Sequence, residues 1–335
     1  MSFKIGKNSK IIGDDINIDS DVKIMDNCTI IGDKINIKSG TVIQAGVIIN
    51  AEIINIGFDC TIKENCVFEG YGTRENKNSA HQFYIKDNVF IGKSTTINVP
   101  KFLIGDYGVI HSMNIYGESP LEIGHNVWIG QETIINTRKI VMMGDNVRIG
   151  AKSQIYTHSA SGEIIEGTQL FAEREVILED NTWLNGSVVI SPGVRVRSWS
   201  VVLIGSVLAK DTKEYHLYAG IPARDITEKI KPYKRLSLNE KYKLMKKFVK
   251  EFYEKNPQFT NKIFMFNNPK YVKEDMPNKD SIIIFKDASG KFNLKNNSVF
   301  DIKTKMYKKV RSEIEIDFIK QNLGHNFRFI PYEDE

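Results

Sequence analysis

The chain has 335 residues, of which 41% are hydrophobic, 26% charged and 10% aromatic, enough apolar material for a core and so not a disordered chain. No run reaches the roughly 18 apolar residues of a membrane-spanning helix, and the opening MSFKIGKNSK lacks an apolar signal segment, so the cytoplasm is the expected location. The net charge of +5 divides unevenly: residues 233–335 carry +8 and the rest carry −3, which points to two domains, 1–232 and 233–335.

From residue 5 to about 208, aliphatic residues recur every six positions. Ile18, Ile24 and Ile30 form one block, and Ile85, Ile91 and Ile97 another. Ile123, Ile129 and Ile135 follow, then Met143, Ile149 and Ile155, and finally Leu178, Leu184, Ile190, Val196 and Val202. A helix would space them by three and four and a single strand by two. Period six fits a coil with flat sides made of short strands. The fifth position of each hexad is small or β-branched (Val22, Thr41, Val89, Thr133, Ser153, Thr182), as expected near a corner. All three cysteines, Cys28, Cys60 and Cys66, fall there, so they read as buried packing residues. Glycine often follows the aliphatic residue (Gly92, Gly105, Gly124, Gly130, Gly144, Gly150), and it is expected to supply unusual corner angles.

Departures from the period are where a uniform prism can acquire a site. The first is GYGTRENKNSAHQF, residues 70–83. The second is the step from Met143 to Leu178, whose excess, residues 157–175, must leave the coil as a loop opening at His158. Beyond the hexads, Ser237-Leu238-Asn239-Glu240 is a capping box for a helix over 237–255, whose apolar face (Met245, Phe248, Val249, Phe252) is expected to pack on the prism. The runs KIFMF, SIIIF and SVFDI, then a second amphipathic stretch from Ile314 to Leu323, indicate a small α+β domain. No basic module with interleaved aromatics speaks for nucleic acid.

The stretch MGDNVRIGAKSQIYTHSASGE, then EDNTWL (179–184), then Gly220-Ile221-Pro222-Ala223-Arg224, resembles the hexapeptide-repeat acyltransferases. The resemblance implies a mainly β fold, a left-handed parallel β-helix of about 18 residues per turn, here with a C-terminal α+β domain. It implies transfer of an acyl group from acetyl-CoA or another acyl-CoA, with no metal, and a homotrimer with the site between adjacent prisms. His158 matches the catalytic histidine, and a residue titrating near neutrality suits a general base. Trp183, Gly205, Ser206, Ala219 and Arg224 match the coenzyme A side, with Arg224 suited to a phosphate. The acceptor is expected on the preceding coil at Glu132, Asn136 and Arg138, the last as a partner for a nucleotide phosphate. Asn114, read as occupying a normally small fifth position, is a further candidate.

The β-helix followed by an α+β part also resembles a nucleotide-sugar N-acyltransferase of the anthrose pathway. The expected reaction is therefore acylation of the amino group of a nucleotide-linked amino-deoxysugar for a surface glycan. A sugar O-acetyltransferase using the same histidine is the alternative. A metal hydratase on the same prism would need three convergent histidines, and the six here show no H-x4-H pair. A non-enzymatic scaffold is the remaining reading.

Overall fold

Among the described residues the six-residue period resolves into three sheets of 12, 10 and 9 strands, visited in rotation along the chain and parallel except for the last strand of the first. The computed structural model describes residues 3–70, 81–159, 162–271, 280–288 and 296–332. It divides into two units, 1–233 and 234–335. The first is the mainly β, left-handed parallel β-helix that the hexads call for. Among the described residues no helix is long and apolar enough to cross a membrane.

The hexad aliphatics form vertical columns inside the prism. In the first sheet Ile24, Ile43, Ile62, Ile91, Ile110, Ile129, Ile149, Leu184 and Val202 stack in register. Each is at most 2% exposed. Burying one such side chain contributes about 1.5–3 kcal/mol, and only the next coil can bury it, so stability accrues coil by coil.

Partners in register lie 19 residues apart over the early coils (Lys4, Lys23, Val42, Thr61) rather than 18, because the third sheet takes four-residue strands such as Lys34–Ile37 and Ile53–Ile56. Spacing falls to 18 between Thr96 and Asn114 and again over the last coils, between Ile177 and Arg195, Trp183 and Val201, and Val189 and Val207.

The fifth positions sit at the corners, and their polar atoms serve the backbone there. The Thr133 hydroxyl donates to Gly130 O at 2.8 Å and the Cys60 thiol to Lys86 O at 2.9 Å. Burial pushes the Cys60 thiol up to about 12 and the Cys66 thiol to about 11, so these are packing residues and not nucleophiles.

The left-handed corner angle belongs to a different residue from the one expected. Asn126, Asn146 and Asn181 carry it, at φ 58°, 62° and 60°. Their side chains form a ladder, with Asn126 Nδ2 to Asn146 Oδ1 and Asn146 Nδ2 to Asn181 Oδ1 both at 3.1 Å. The glycine two residues earlier answers a different demand. A Cβ on Gly124 would stand 2.7 Å from the carbonyl carbon of Gly144 one coil on, so glycine lets the coils touch.

The step from Met143 to Leu178 is one coil plus an excursion, since these two residues are direct partners in the third sheet. The excursion closes on itself: His158–Ser159 pairs antiparallel with Ala172–Glu173. Parallel stacking ends where Leu217–Ala219 turns back antiparallel on Arg224–Asp225. Of the earlier interruption, residues 71–80 lie outside the described residues.

The second unit has a five-stranded sheet in the order Ile263–Phe266, Ile282–Phe285, Ser298–Asp301, Met306–Lys308, Ile330–Tyr332. It is parallel except between the third and fourth strands. Helix α1 spans Leu238–Lys255 under a complete Ser237/Glu240 capping box, and α2 spans Glu313–Asn322. The apolar face of α1 packs within its own unit: Phe252 stacks on Phe259 at 5.8 Å and meets Phe318 edge-on at 5.1 Å. The expectation that this face needs the prism is corrected by those aromatics, which the sequence places 7 and 66 residues further on.

Candidate active site

Where the excursion leaves the second sheet, Tyr116, Gly117, Glu118, Asn136, Arg138, His158 and Glu173 line a cleft of about 390 Å³. The coil period builds its floor. Tyr116, Asn136 and Tyr156 are register partners on successive coils, so their outward side chains rise from one column. Gly117 keeps the coils in contact beside it, because a Cβ there would lie 2.4 Å from the Thr137 carbonyl carbon.

His158 is half-buried, and its Nδ1 lies 2.9 Å from Asn136 Oδ1. The same oxygen accepts from the Arg138 backbone N–H at 3.2 Å, an Asx-type turn that fixes which end of the amide faces the ring. An oxygen there requires Nδ1 of His158 to carry the proton. Nε2 is then the lone-pair nitrogen, free to take a proton from a bound group. Thr157 secures the root of the excursion: its hydroxyl donates to Asn136 O at 3.0 Å and accepts from the Lys139 backbone N–H at 3.0 Å.

The far end of the excursion returns to the same place. Glu173 is the cross-strand partner of His158 and accepts from Arg138 Nε at 3.2 Å, with Lys139 Nζ at 3.4 Å. Arg138, followed by Lys139, holds the Glu173 carboxyl below the usual carboxylate range. The other side of the Arg138 guanidinium is bonded to Glu118. Arg138 is therefore clamped between two carboxylates and does not stand open for a nucleotide phosphate.

The other expected acceptor residues divide. Asn136 is in the cleft, but its oxygen is committed to His158 and Arg138, leaving its Nδ2 for a ligand. Glu132 lies outside the lining, at a corner with φ 58°, 3.6 Å from Lys152. Asn114 is exposed at the start of a strand, in register with Thr96 and Ile134; the buried fifth position there is filled by Met113, so the placement read from the sequence is off by one. Sequence reasoning missed Tyr116, Glu118 and Glu173. Counting one coil back from Asn136 finds Tyr116, whereas Glu173 required knowing that the excursion is an antiparallel ribbon.

The residues matched to coenzyme A gather at the end of the prism. Ser206 Oγ accepts from Gly220 N–H at 3.0 Å, and Ala219 and Arg224 are antiparallel partners. Gly205 takes a left-handed φ of 70° with open space on its Cβ side, and Arg224 is exposed. Trp183 is 46% exposed on the outer face of the first sheet, beside Arg148 and Val201. Gly205–Ser206 sits at the corner entering the second sheet, and His158 follows the corner leaving it. One chain thus keeps these two groups at opposite edges of one face. Among the described residues, no group of three or more His, Cys, Asp or Glu side chains is arranged to hold a metal ion.

The molecule is thus a parallel β-helix whose excursion sets an oriented histidine in a polar cleft. No family model matches the chain. It is 30% identical over 115 residues to galactoside O-acetyltransferase of Escherichia coli, a match covering 34% of this chain and 56% of that one. Galactoside O-acetyltransferase of Lactococcus lactis is 29% identical over 117 residues, covering 35% and 54%. The chain spans little more than half the length of these curated relatives. Among solved structures, AntD, an N-acyltransferase from Bacillus cereus in complex with dTDP and 3-hydroxybutyryl-CoA, aligns over 49% of this chain and 88% of its own. The identity is 19% and the TM-score 0.37, a likeness that identifies no substrate.

Proposed function

We propose that the protein transfers an acyl group from acyl-CoA to a sugar-class acceptor bound in the Tyr116–His158 cleft, with His158 as general base. The observation that carries this reading is the Asn136–His158 pair, which presents Nε2 as the acceptor of a proton inside a polar cleft. As the acceptor oxygen attacks the thioester carbonyl, its proton passes to Nε2; the C–S bond then breaks and the thiolate of coenzyme A receives that proton. A hydroxyl needs such a base more than an amine does, and the resemblance to galactoside O-acetyltransferases supports a hydroxyl acceptor.

Gly205, Ser206, Ala219, Arg224 and Trp183 are assigned to coenzyme A. Because they stand across a face from His158 in one chain, the reading includes a homotrimer in which one copy presents the thioester to the histidine of the next, acting in the cytoplasm.

The second reading is acylation of the amino group of a nucleotide-linked amino-deoxysugar. Glu118 and Glu173 line the cleft, but both are paired with Arg138, so neither is a free carboxylate for an ammonium-bearing acceptor. The engagement of Arg138 counts against its holding the nucleotide phosphate. Thiol release from acetyl-CoA, assayed with galactosides and other neutral sugars against dTDP- and UDP-linked amino sugars, separates the two. Turnover of hydroxyl acceptors supports the first reading, and turnover of amino sugars alone supports the second. No acyl-CoA binding by calorimetry overturns both in favour of a scaffold.

A further inference from the structure

A polar stripe starts in the cleft and runs away from it along the second sheet. It is made by the last residue of successive three-residue strands. Asn136 pairs in register with Tyr116, Tyr116 with Asn98, and Asn98 with Glu69. The residue before each of them, Ile135, Ile115, Ile97 and Phe68, is buried in the prism, so strand alternation turns these four side chains outward. Successive strands lie about 4.8 Å apart, so the stripe extends roughly 14 Å from Asn136 to Glu69.

Beyond Asn136 the fold makes no use of these side chains. Among the described residues the Tyr116 hydroxyl, the Asn98 amide and the Glu69 carboxylate have no hydrogen bond and no ion pair. Tyr116 is 42% exposed, whereas Asn98 and Glu69 are half-buried. Asn98 Oδ1 is covered and still lacks a donor. A covered acceptor left unpaired is costly, and a donor from a ligand removes that cost. The far end of the stripe repeats the pattern. A Cβ on Gly70, next to Glu69, would stand 1.9 Å from the His81 imidazole, whose Nε2 is also covered and unpartnered.

The chemistry of the stripe matches linked sugar rings. A pyranose has a C–H face that packs on an aromatic ring and a rim of hydroxyls that donate and accept. Tyr116 offers the ring, the amide nitrogens of Asn136 and Asn98 donate, and Asn98 Oδ1 and the Glu69 carboxylate accept. A pyranose linked at both ends advances by about the height of one coil, so successive rings meet successive strands. None of the four positions is a cation, and Glu69 repels a polyanion, so the match is to neutral sugar residues. An apolar chain would leave these polar groups unpaired.

We propose that the cleft continues along Tyr116, Asn98 and Glu69 as a groove for a neutral oligosaccharide, so that the acceptor is a glycan chain with one ring at His158. The proposal rests on the reading of the cleft as a sugar acceptor site and deepens it. Asn98 and Glu69 stand two and three strands from Asn136, so they hold the chain and do not touch the reacting atoms.

The test pairs binding with turnover on the full chain, using methyl galactoside with galactobiose to galactotetraose, and methyl glucoside with maltose to maltotetraose. Calorimetry gives Kd for each sugar, and thiol release from acetyl-CoA gives kcat/KM. In at least one series the tetrasaccharide should bind about tenfold or more tighter than the methyl glycoside. Asn98→Ala and Glu69→Gln should each cut that gain about fivefold, as befits one lost hydrogen bond. Asn55→Ala, on the outer face of the third sheet between buried Ile54 and Ile56, should leave the gain as in the parent. Length-dependent binding without thiol release overturns the transferase reading and supports the groove. Thiol release with equal Kd at every length overturns the groove and leaves the transferase reading standing. The proposal is overturned as well if no sugar binds, or if the gain survives in both Asn98→Ala and Glu69→Gln.

Discussion

Ile134 and Ile135 are adjacent, chemically identical and both within a strand, yet they should respond to truncation in opposite ways. Ile135 is fully buried in the prism between Ile115 and Ile155, whereas Ile134 points outward and is 37% exposed. Ile135→Ala removes three carbon groups, worth about 0.8 kcal/mol each on transfer, or about 2.4 kcal/mol. The cavity between stacked coils adds about 1 kcal/mol or more, for a total of about 3–4 kcal/mol. Ile134→Ala should cost under about 1 kcal/mol. All three tryptophans, Trp128, Trp183 and Trp199, lie in the first unit, so intrinsic fluorescence in urea follows the prism without interference from the second unit. Equal costs for the two substitutions, or a larger cost for Ile134→Ala, would refute the inward and outward assignment on which the cleft rests.

Three further outcomes concern other coils of the same unit. Asn146→Ala should cost about 2–3 kcal/mol, from strain at φ 62° and two lost ladder bonds, and Asn146→Gly about 1 kcal/mol less; equal values in thermal unfolding would remove the strain argument. The native protein at pH 8 should react with a disulfide reagent far more slowly than the unfolded chain, because burial raises all three thiols, Cys60 to about 12 and Cys66 to about 11; rapid native labelling would contradict this. Asp225, bonded by Thr227 and by His216 at 2.6 Å, is lowered from 3.8 to about 2. A lowered carboxyl stabilises the fold fully above its ordinary value, and that contribution is lost as pH falls from 3.8 towards 2. The pair is partly exposed, so His216→Ala should reduce stability at pH 5 by under about 1 kcal/mol and make acid unfolding begin at higher pH; an unchanged acid profile would dismiss the linkage.

What the sequence discloses follows from periodicity. The column of Ile24, Ile91, Ile129 and Ile149 was legible because a residue that faces inward every six positions leaves a mark at every turn. The root of the excursion at His158 was legible because Met143 and Leu178 keep the register across it. The Asn126–Asn146–Asn181 ladder was also present in the letters, but glycine drew attention to the wrong corner residue. Contacts made outside the period left no mark. The pairing of His158 with Glu173, the clamp of Glu118 and Glu173 on Arg138, and the burial of α1 against Phe318 all depend on chain returning from an excursion or from a distant element. One residue fewer between the first- and second-sheet strands, Ile110 to Ile115 against Ile91 to Ile97, was enough to shift Asn114 off the corner assigned to it.

The account stands most directly on His158. The measurement is kcat for thiol release from acetyl-CoA with the best acceptor, in the parent and in His158→Ala, alongside calorimetric binding of coenzyme A to each. A general base at Nε2 predicts a fall in kcat of roughly 10²–10⁴ with coenzyme A affinity retained. A fall of less than tenfold would contradict it.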